Sequence, residues 1–456
     1  MVGCSGAAAP APVSLPPPPP PADAAVPDAP VRTARGGACH AATCADGLTC
    51  GALPQGYCLS GCDRCADGQC VDTWADGARC LARCATDRDC RRDEGYACDA
   101  AWHACLIPNS AAIVPRLCTA DAHDDAFGPP EPLTTDHAID PTAALADDGT
   151  LVALYARDDG TLASGVTGTQ PRLVPTAAGE LTAVWLGATG IELATTRDGT
   201  TWTAPRAAQA AGDDALAEPN VAPGYALYGS HGALRIRALG APTAVTPVAG
   251  MRASALVGAD RRLHVVALDG GPLGGYGSAD QRIQYTVSRD GGRTFATPIQ
   301  ISARDEELPW FAAAPALALD ERRGWLYVAY VRGGHDARWD IVVVALNGKQ
   351  TRRAVIGDGC SIHMAPALAL DPVTGTLHVG YYDSVGFAHA TCTPGSCKVA
   401  GAIGTFPVST ARSGPRALGD RAALVIDNKR RTLHAVWASP AGVLHAVAKL
   451  QPTAAR

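Results

Sequence analysis

Between residues 137 and 451 the chain is a succession of short runs in which apolar and polar positions alternate, separated by clusters of Asp and Gly. Alternation with a period of two is typical of β-strands with one buried face, and the Asp and Gly clusters are typical of tight turns. The helical period of about 3.6 residues is absent from the repeats, and no window reaches the roughly 18–20 consecutive apolar residues of a membrane-spanning helix. The pattern therefore predicts an all-β domain over 137–451.

Three segments of this domain align on one another as strand, turn, strand. They are PALALDERRGWLYVAY (315–330), PALALDPVTGTLHVGY (366–381) and AALVIDNKRRTLHAVW (422–437). In each, an Asp precedes a Leu by six residues. A third and a fourth strand follow, as in WDIVVVAL (339–346) and TRRAVI (351–356). Weaker copies lie at 142–156, 180–205, 222–248 and 254–268.

The length of the repeat indicates the architecture. Seven units over 137–451 average about 45 residues each, which fits the four-stranded blade of a β-propeller. A β-helix would need shorter coils, and an α-solenoid would need a helical period. We therefore predict an all-β fold with a six- to seven-bladed β-propeller. Seven blades are preferred, and six would result if the weak copies merge.

Two turns of the repeat share a further pattern. Ser288, Asp290, Gly292 and Phe295 form S-x-D-x-G-x-x-F, and Thr196, Asp198, Gly199 and Trp202 form the same pattern with one residue fewer. Ser, Thr and Asp side chains at such positions accept hydrogen bonds from turn N–H groups. Gly takes the positive-φ position, and the aromatic ring packs back onto the strands. The pattern predicts two hairpin turns.

These residues resemble the Asp-box, or BNR repeat, of sialidase-like β-propellers. The resemblance implies that both turns join third and fourth strands, on the face opposite the active site, and that their residues are structural. The catalytic set of sialidases, an arginine triad, a Tyr/Glu pair and an Asp acid, is not recognisable. The family's early Phe-Arg-Ile-Pro segment has no counterpart, because the nearest segment, Ile113 to Arg116, reads differently. The resemblance covers about two thirds of the chain and concerns the fold.

The opposite face would carry the second-to-third strand loops and the connections between blades, where propellers bind ligands. These segments place aromatic residues beside carboxylates and Arg, as sugar and peptide sites do. The candidate ligand-binding residues are Tyr276, Glu306, Glu307, Trp310, His335, Asp336, Arg338, Trp339, His363 and Asp383. The alternative for each is an ordinary polar rim.

Three histidines occupy one register of the repeat: His264, His378 and His434, with Tyr327 in the same position of another unit. An equal register in several units favours packing between blades over metal binding. We predict no metal and no cofactor.

Cysteines cluster before the repeats. Of 17 cysteines, twelve lie between residues 39 and 105, which predicts a disulfide-stapled module over 37–108 and an oxidising compartment. Zinc is the alternative, because Cys62-x-x-Cys65 has ligand spacing, but a second close pair is missing. The module is similar to cysteine-rich segments of bacterial surface lipoproteins. The spacing leaves its connectivity open.

Five cysteines remain outside the module. Cys392 and Cys397 can bridge the ends of a hairpin where another unit has its Asp-box-like turn. Parity then pairs Cys118 with Cys360, unless Cys118 belongs to the module and Cys360 is a free thiol. Cys4 follows a small residue, as in a lipobox, and we expect it to carry lipid if the true start lies upstream.

Residues 1–36 are rich in Pro and Ala and predict a disordered, extended tether, with an SH3-type ligand as the alternative. A linker over 109–136 joins the module to the repeats. The 38 Lys+Arg and 44 Asp+Glu give a net charge of −6, which offers no basic footprint for nucleic acid or anionic membrane.

Together these features predict a monomeric protein of the bacterial cell envelope, secreted or held at the outer membrane by lipid alone. We expect it to act by binding an extracellular glycan or protein ligand. Two alternatives stay open: an exo-glycosidase of sialidase type, and a structural envelope protein without a small-molecule ligand.

Overall fold

The structure is a computed structural model that describes most of the chain from residue 32 to residue 451. The described residues are 32–39, 43–51, 56–73, 77–99, 103–106, 123–176, 179–213, 215–230, 233–248, 252–269, 281–304, 306, 308, 314–333, 339–348, 350–357, 364–383, 386–405, 421–439 and 441–451. Within these ranges the regular elements are β-strands and three short 3-10 turns, so the all-β prediction is confirmed. Among them no helix has the length and apolarity to cross a membrane.

The N-terminal module is a set of short strands held by disulfides. Its strands are β1 (Arg32–Thr33), β2 (Thr43–Cys44), β3 (Thr49–Gly51), β4 (Tyr57–Gly61), β5 (Gly68–Thr73), β6 (Gly77–Ala82), β7 (Ala97–Asp99) and β8 (Ala104–Leu106). The 3-10 turns are Cys62–Arg64, Asp87–Asp89 and Arg92–Glu94. Strands β3 to β6 form one sheet in the order β3-β4-β6-β5.

All twelve module cysteines form disulfides, as predicted. The pairs are Cys39–Cys50, Cys44–Cys58, Cys62–Cys70, Cys65–Cys80, Cys84–Cys98 and Cys90–Cys105. Each run of four cysteines is linked first to third and second to fourth, which gives three successive interleaved units. Cys62 and Cys65, the zinc alternative, are both used in this way.

A small core complements the disulfides. The Arg91 guanidinium lies over the rings of Tyr57 and Tyr96, with its carbon 5.4 and 4.5 Å from their centroids. Both tyrosines are buried beside Leu59 and Leu81. Cation–π contacts of this kind are worth about 0.5–2 kcal/mol, so the module is more than a disulfide framework.

The residues after 123 form seven small antiparallel sheets, S1 to S7 in chain order. S1 holds β10 (Ala138–Leu145) and β11 (Leu151–Arg157); S2 holds β12 (Thr169–Pro175), β13 (Leu181–Gly187), β14 (Gly190–Thr196) and β15 (Arg206–Ala207); S3 holds β16 (Ala215–Ala222), β17 (Tyr225–Ser230) and β18 (Ala233–Ala238). S4 holds β19 (Arg252–Val257), β20 (Leu263–Asp269), β21 (Arg282–Ser288) and β22 (Ile299–Gln300). Within each sheet, strands adjacent in sequence are hydrogen-bonded to each other.

The last three sheets contain the three strongest repeats. S5 holds β23 (Ala316–Asp320), β24 (Trp325–Gly333), β25 (Trp339–Asn347) and β26 (Gln350–Ile356); S6 holds β27 (Met364–Leu370), β28 (Leu377–Asp383), β29 (Gly386–Thr393) and β30 (Ser396–Thr405). S7 holds β31 (Ala423–Asp427), β32 (Thr432–Ser439), β33 (Gly442–Lys449) and, as its fourth strand, β9 (Glu131–Thr134). The aligned Asp residues lie at the ends of the first strands of these three sheets: Asp320 and Asp427 are the last residues of β23 and β31, and Asp371 directly follows β27.

The sheets pack side by side through their first strands. The first strand of each sheet contacts that of the next, and β31 of S7 contacts β10 of S1. One core cluster contains Ala138, Ala143 and Tyr155 of S1 together with Val436 and Val443 of S7. The first and last sheets are therefore neighbours, and the arrangement is propeller-like.

Cys392 and Cys397 form the predicted local disulfide. The two residues are direct partners in the β29–β30 ladder, with their Cα atoms 4.1 Å apart. Cys392 is buried in the core cluster shared by S5 and S6. Cys118 and Cys360 lie outside the described residues, as does Cys4, so these predictions are not tested.

The repeated histidines make polar contacts within their own sheets, and the expected packing between sheets stays a prediction. Each pairs with a third-strand residue of its own sheet, diagonally across the ladder: His264 Nδ1 lies 2.8 Å from Tyr285 Oη, and His378 and His434 Nδ1 each lie 3.0 Å from Nε2 of His389 and His445. Partners in the same sheet therefore engage the Nδ1 atoms of His264 and His378, which are buried, and of His434, which is partly buried. The alignment of the repeats showed that the three histidines occupy equivalent positions. It could not show which neighbouring residue each ring contacts.

The His378–His389 pair in S6 also contacts the segment through which the chain enters the repeat region. The His389 Nδ1 atom lies 2.7 Å from Asp124 Oδ2, and all three side chains of this Asp124–His389–His378 chain are at least nine-tenths buried. The Asp124 N–H donates to the Ala402 carbonyl at 3.0 Å, and Phe127 packs edge-on against His389. The chain then continues into β9 beside β33, so residues 124–134 attach to both S6 and S7.

Burial lowers the pKa of His378 to about 4, with a further contribution from neighbouring His389. The unfolded chain takes up this proton near pH 6.5, so the group reduces folding stability as the pH falls from about 6.5 to 4, by on the order of 3 kcal/mol in total. We expect His378→Asn, which keeps a donor near the Nδ1 position but does not titrate, to flatten the pH dependence of the urea-unfolding free energy in this window. His137→Asn, at an exposed position, is the control. An unchanged pH slope in His378→Asn would contradict this assignment.

Candidate functional site

The two ends of the sheets differ in what they carry. Because the strands alternate in direction, first-to-second and third-to-fourth turns lie at one end, named here the turn face. Second-to-third loops and sheet-to-sheet connections lie at the other, named the loop face. The two S/T-x-D turns join β14 to β15 and β21 to β22, both on the turn face.

The turn at Asp290 is built as its sequence predicts. Asp290 Oδ1 accepts the Arg293 and Thr294 N–H groups at 3.1 and 2.9 Å, and Ser288 Oγ accepts the Gly292 N–H at 2.8 Å. Gly292 has φ of 80°, which a Cβ would strain. Hydrogen bonds from the Thr294 side chain and backbone hold the Asp290 pKa well below its usual range.

The shorter turn uses the same contacts. Asp198 Oδ1 accepts the N–H groups of Thr200 and Thr201 at 2.8 Å each, and Thr196 Oγ1 accepts the Gly199 N–H at 3.0 Å. The Thr201 and Thr200 N–H groups lower the Asp198 pKa. Trp202 and Phe295 pack against the cores of S1–S2 and S3–S4. These residues stabilise turns and offer no reactive group.

Most candidate ligand-binding residues of the loop face fall outside the described residues. These are Tyr276, Glu307, Trp310, His335, Asp336, Arg338 and His363. For Trp339 and Asp383 the structure gives only the backbone position, at the start of β25 and the end of β28. Both strand ends lie at the loop face. Glu306 is the candidate whose side chain is described.

Glu306 lies in the S4-to-S5 connection and turns its carboxylate inward onto S5. Oε2 accepts the Tyr330 hydroxyl at 2.7 Å and the Ala303 N–H at 2.8 Å, while Oε1 contacts the Arg353 guanidinium. The Arg353 Nη2 donates to the Tyr330 hydroxyl at 2.6 Å. The Glu306 side chain is 8% exposed, so the carboxylate makes its contacts with groups inside the protein.

A second ion pair extends this cluster toward the loop face. Arg332 Nη2 lies 3.0 Å from Asp340 Oδ2, and Arg332 Nη1 lies 3.7 Å from Glu306 Oε1. Burial raises the pKa of Tyr330, and its hydrogen bond to Glu306 raises it further. Burial alone would lower the Arg353 pKa, but contacts with Glu306 and Tyr330 raise it overall. Tyr330 is therefore a neutral hydrogen-bond donor between two opposite charges.

This Tyr330–Glu306 contact has the residue types of a Tyr/Glu nucleophile pair. Tyr330 is 1% exposed, and a nucleophile must reach its substrate. Its hydroxyl already donates to Glu306 and accepts from Arg353. The arrangement stabilises the S4–S5 contact and is closed to a ligand.

Residues on or next to the first strands of different sheets form a second cluster of polar groups. The sequence did not reveal this cluster. Arg421, just before β31, is buried, and its Nη1 lies 3.4 Å from the Pro219 carbonyl of β16. Burial lowers the Arg421 pKa to about 10, although nearby Asp140 of β10 acts in the opposite direction. Asp140 has φ of 53° at a register shift in β10. These residues come from S7, S3 and S1 and are far apart in sequence, so no local motif could identify them.

Asn220 links the first strands of S3 and S4 nearby. Its Nδ2 donates to the Ala253 carbonyl at 2.7 Å and to Ser254 Oγ at 3.0 Å. The side chain is buried and fully engaged with these neighbours. It therefore fixes strand positions and is not placed to bind a substrate.

No protein family matches the sequence, and no curated protein matches it. Among solved structures, the fold is similar to the extracellular domain assigned to a hybrid two component system of B. thetaiotaomicron, with 10% identity, a TM-score of 0.42, and coverage of 72% of this chain and 40% of that chain. It is also similar to Trypanosoma rangeli sialidase in complex with 2,3-difluorosialic acid, with 12% identity, a TM-score of 0.38, and coverage of 70% and 59%. A third is the Bacteroides ovatus xyloglucan PUL protein GH43B, with 12% identity, a TM-score of 0.31, and coverage of 68% and 49%.

The chain thus spans about 40–60% of the length of these structures. The neighbours include an extracellular domain and a sialidase. What the chain does must be argued from its own residues.

The Glu306 cluster makes a measurable contribution to stability. Removing one member of a buried ion pair costs about 3–5 kcal/mol, and because Arg353 is partly exposed we expect about 3 kcal/mol for Glu306→Leu in urea unfolding. Glu306→Leu with Arg353→Met should be more stable than Glu306→Leu alone, because no uncompensated charge remains. Asp340→Asn, in the more exposed pair, is the control and should cost less than 1 kcal/mol. Additive losses in the double variant would contradict the pairing.

Proposed function

We propose that the chain is an extracellular binding protein whose loop face recognises a glycan or protein ligand. The proposal is carried by the closed Tyr330–Glu306–Arg353 contact. This contact has the residue types of a glycosidase nucleophile site but is buried and saturated with internal hydrogen bonds. Binding, unlike catalysis, does not require a reactive pair at this position.

The proposed scaffold is a seven-bladed propeller with sialidase-like Asp-box turns. It is supported by seven sheets whose first strands contact one another in succession, with the last touching the first. The pairing of β9 with β33 adds a strand from the start of the domain to the last sheet, a common way to close a propeller. The hydrogen bonds of Asp198 and Asp290 supply the Asp-box geometry.

The proposed location is the bacterial cell envelope or the medium outside it. Seven disulfides among the described residues are stable only in an oxidising compartment. Attachment through lipid on Cys4 and a tether over 1–36 belongs to the same proposal. Mass spectrometry of the native protein from membranes tests it, since an unmodified Cys4 would refute lipid attachment.

A glycan array probed with the purified chain, run beside a fluorogenic sialoside assay, tests the function. We expect binding to particular glycans without turnover. Sialoside hydrolysis would favour the exo-glycosidase alternative and refute the proposal. If the array shows no binding, pull-down from envelope fractions must yield a protein ligand, and failure of both would favour a structural role.

The two faces should separate binding from stability. Because Trp310 and Trp339 belong to loop-face segments, replacing both by Ala should abolish ligand binding and change the melting temperature by only a few degrees. Asp290→Ala removes the acceptor of two turn N–H groups and should lower the melting temperature while the folded fraction still binds. Binding by titration and melting by calorimetry measure both effects, and the opposite pairing of results would overturn the assignment of faces.

A further inference from the structure

The turn face has a charge pattern that the net charge of the chain conceals. The three Asp residues that end or directly follow the aligned first strands, Asp320, Asp371 and Asp427, are 1–3% exposed. Each carboxylate is directed into its own turn, where it accepts backbone N–H groups such as those of Arg323, Val373 and Arg430. These three carboxylates are therefore buried, whereas the carboxylates of other turns on the same face are exposed: Asp147, Asp148, Asp198, Asp260, Asp290 and Glu321.

The cations of the same turns remain at the surface, and Arg323 and Arg430 also form ion pairs with Asp320 and Asp427 of their own turns. The side chains of Arg323 and Arg430 are 39% and 61% exposed, and Arg322 and Lys429 are exposed as well. In the third-to-fourth turn of S4, Arg289 and Arg293 are exposed. Because three of the acids are buried, the exposed cations of this face outnumber its exposed carboxylates.

The scarce lysines also concentrate here. The chain has four lysines: Lys349, Lys398, Lys429 and Lys449. Lys398 follows the β29–β30 turn, and Lys449 ends β33 opposite Thr432; both are exposed. Lys349 lies outside the described residues. Three described lysines thus lie on one face of a chain whose net charge is −6.

Direct contacts show that these turns form one continuous surface. Arg323 of S5 donates to the Thr374 carbonyl of S6 at 2.9 Å, and Arg431 of S7 pairs with Asp371 of S6 at 2.7 Å. Arg430 of S7 donates to the Gly149 carbonyl of S1 at 2.7 Å. Each of these turns is therefore adjacent to the turn of the next sheet.

We infer that the turn face binds an anionic phospholipid surface. The cations spread over neighbouring sheets, which suits a plane of phosphate groups. Sugar chains are bound by exposed aromatic rings, and the large hydrophobic residues exposed in the described parts, Leu133, Ile299, Val355 and Val399, include none. Phe295 and Trp202, the aromatics of the two S/T-x-D turns, pack inward. The sequence expectation was that lipid on Cys4 alone would make membrane contact, and this surface adds a second contact.

Basic residues near an anionic membrane contribute roughly tenfold in affinity for every one to two residues, and the effect falls with ionic strength. The test is cosedimentation of the full-length Cys4→Ser chain, which carries no acyl group, with phosphatidylglycerol/phosphatidylcholine vesicles. Arg293→Gln, Lys398→Gln and Lys449→Gln together remove three exposed charges and none of the hydrogen bonds between turns. We expect this triple variant to lose on the order of 100-fold in affinity.

The matched control removes the same charge elsewhere, with Arg88→Gln and Arg92→Gln in the module and Arg304→Gln near the loop face. It should bind within threefold of the parent, and pure phosphatidylcholine vesicles should not bind either protein. Equal losses in both triple variants would show a general charge effect and overturn the proposal. Absence of binding to the anionic vesicles, or retention on an acidic polysaccharide matrix alone, would also overturn it. Loop-face ligand binding is measured separately and is expected to be unchanged in both variants.

Discussion

The pairing of β9 with β33 is the interaction on which the arrangement of the sheets depends. β31 to β33 are the last strands of the chain, whereas β9 precedes all the others of the repeat region, so this ladder joins positions more than 300 residues apart. The entropic cost of such a loop grows only slowly with its length. Buried contacts must still offset it. The Asp124–His389 hydrogen bond and the packing of Phe127 supply them at the point where the chain enters.

This pairing accounts for the buried Asp124, His389 and His378 at the point where the chain enters. Buried polar groups are costly unless each finds a partner. Asp124 accepts from His389 and from the Ala126 N–H, and His389 accepts from His378. A satisfied chain of this kind specifies one position for the entering segment, because a shifted segment would leave His389 unpaired. If this contact were apolar on both sides, the entering segment could shift along S6 without losing a hydrogen bond.

Local chemistry made much of the fold predictable. The strand periods, the Asp at the end of the first strand in three of the sheets, and the S-x-D-x-G-x-x-F turn depend on neighbours within a few residues, and the structure contains each of them. The local disulfide Cys392–Cys397 follows from hairpin geometry in the same way. The disulfide units of the module were not predictable, because twelve closely spaced cysteines allow many pairings. The structure groups them in three runs of four along the chain, each with its own two disulfides.

The polar clusters could not be predicted because their members come from different sheets. Glu306 was a reasonable ligand candidate by residue type and loop position, yet Arg353 lies 47 residues away and holds its carboxylate inward. The same physics acts on the turn face with the opposite result, since Asp371 and Asp427 turn inward and their arginine neighbours remain at the surface. On the loop face, burial of the Glu306 carboxylate removes a candidate ligand contact. On the turn face, burial of the Asp371 and Asp427 carboxylates leaves positive charge at the surface. The side of the sheet to which each acid turns, more than the composition of the chain, decides what the two faces can bind.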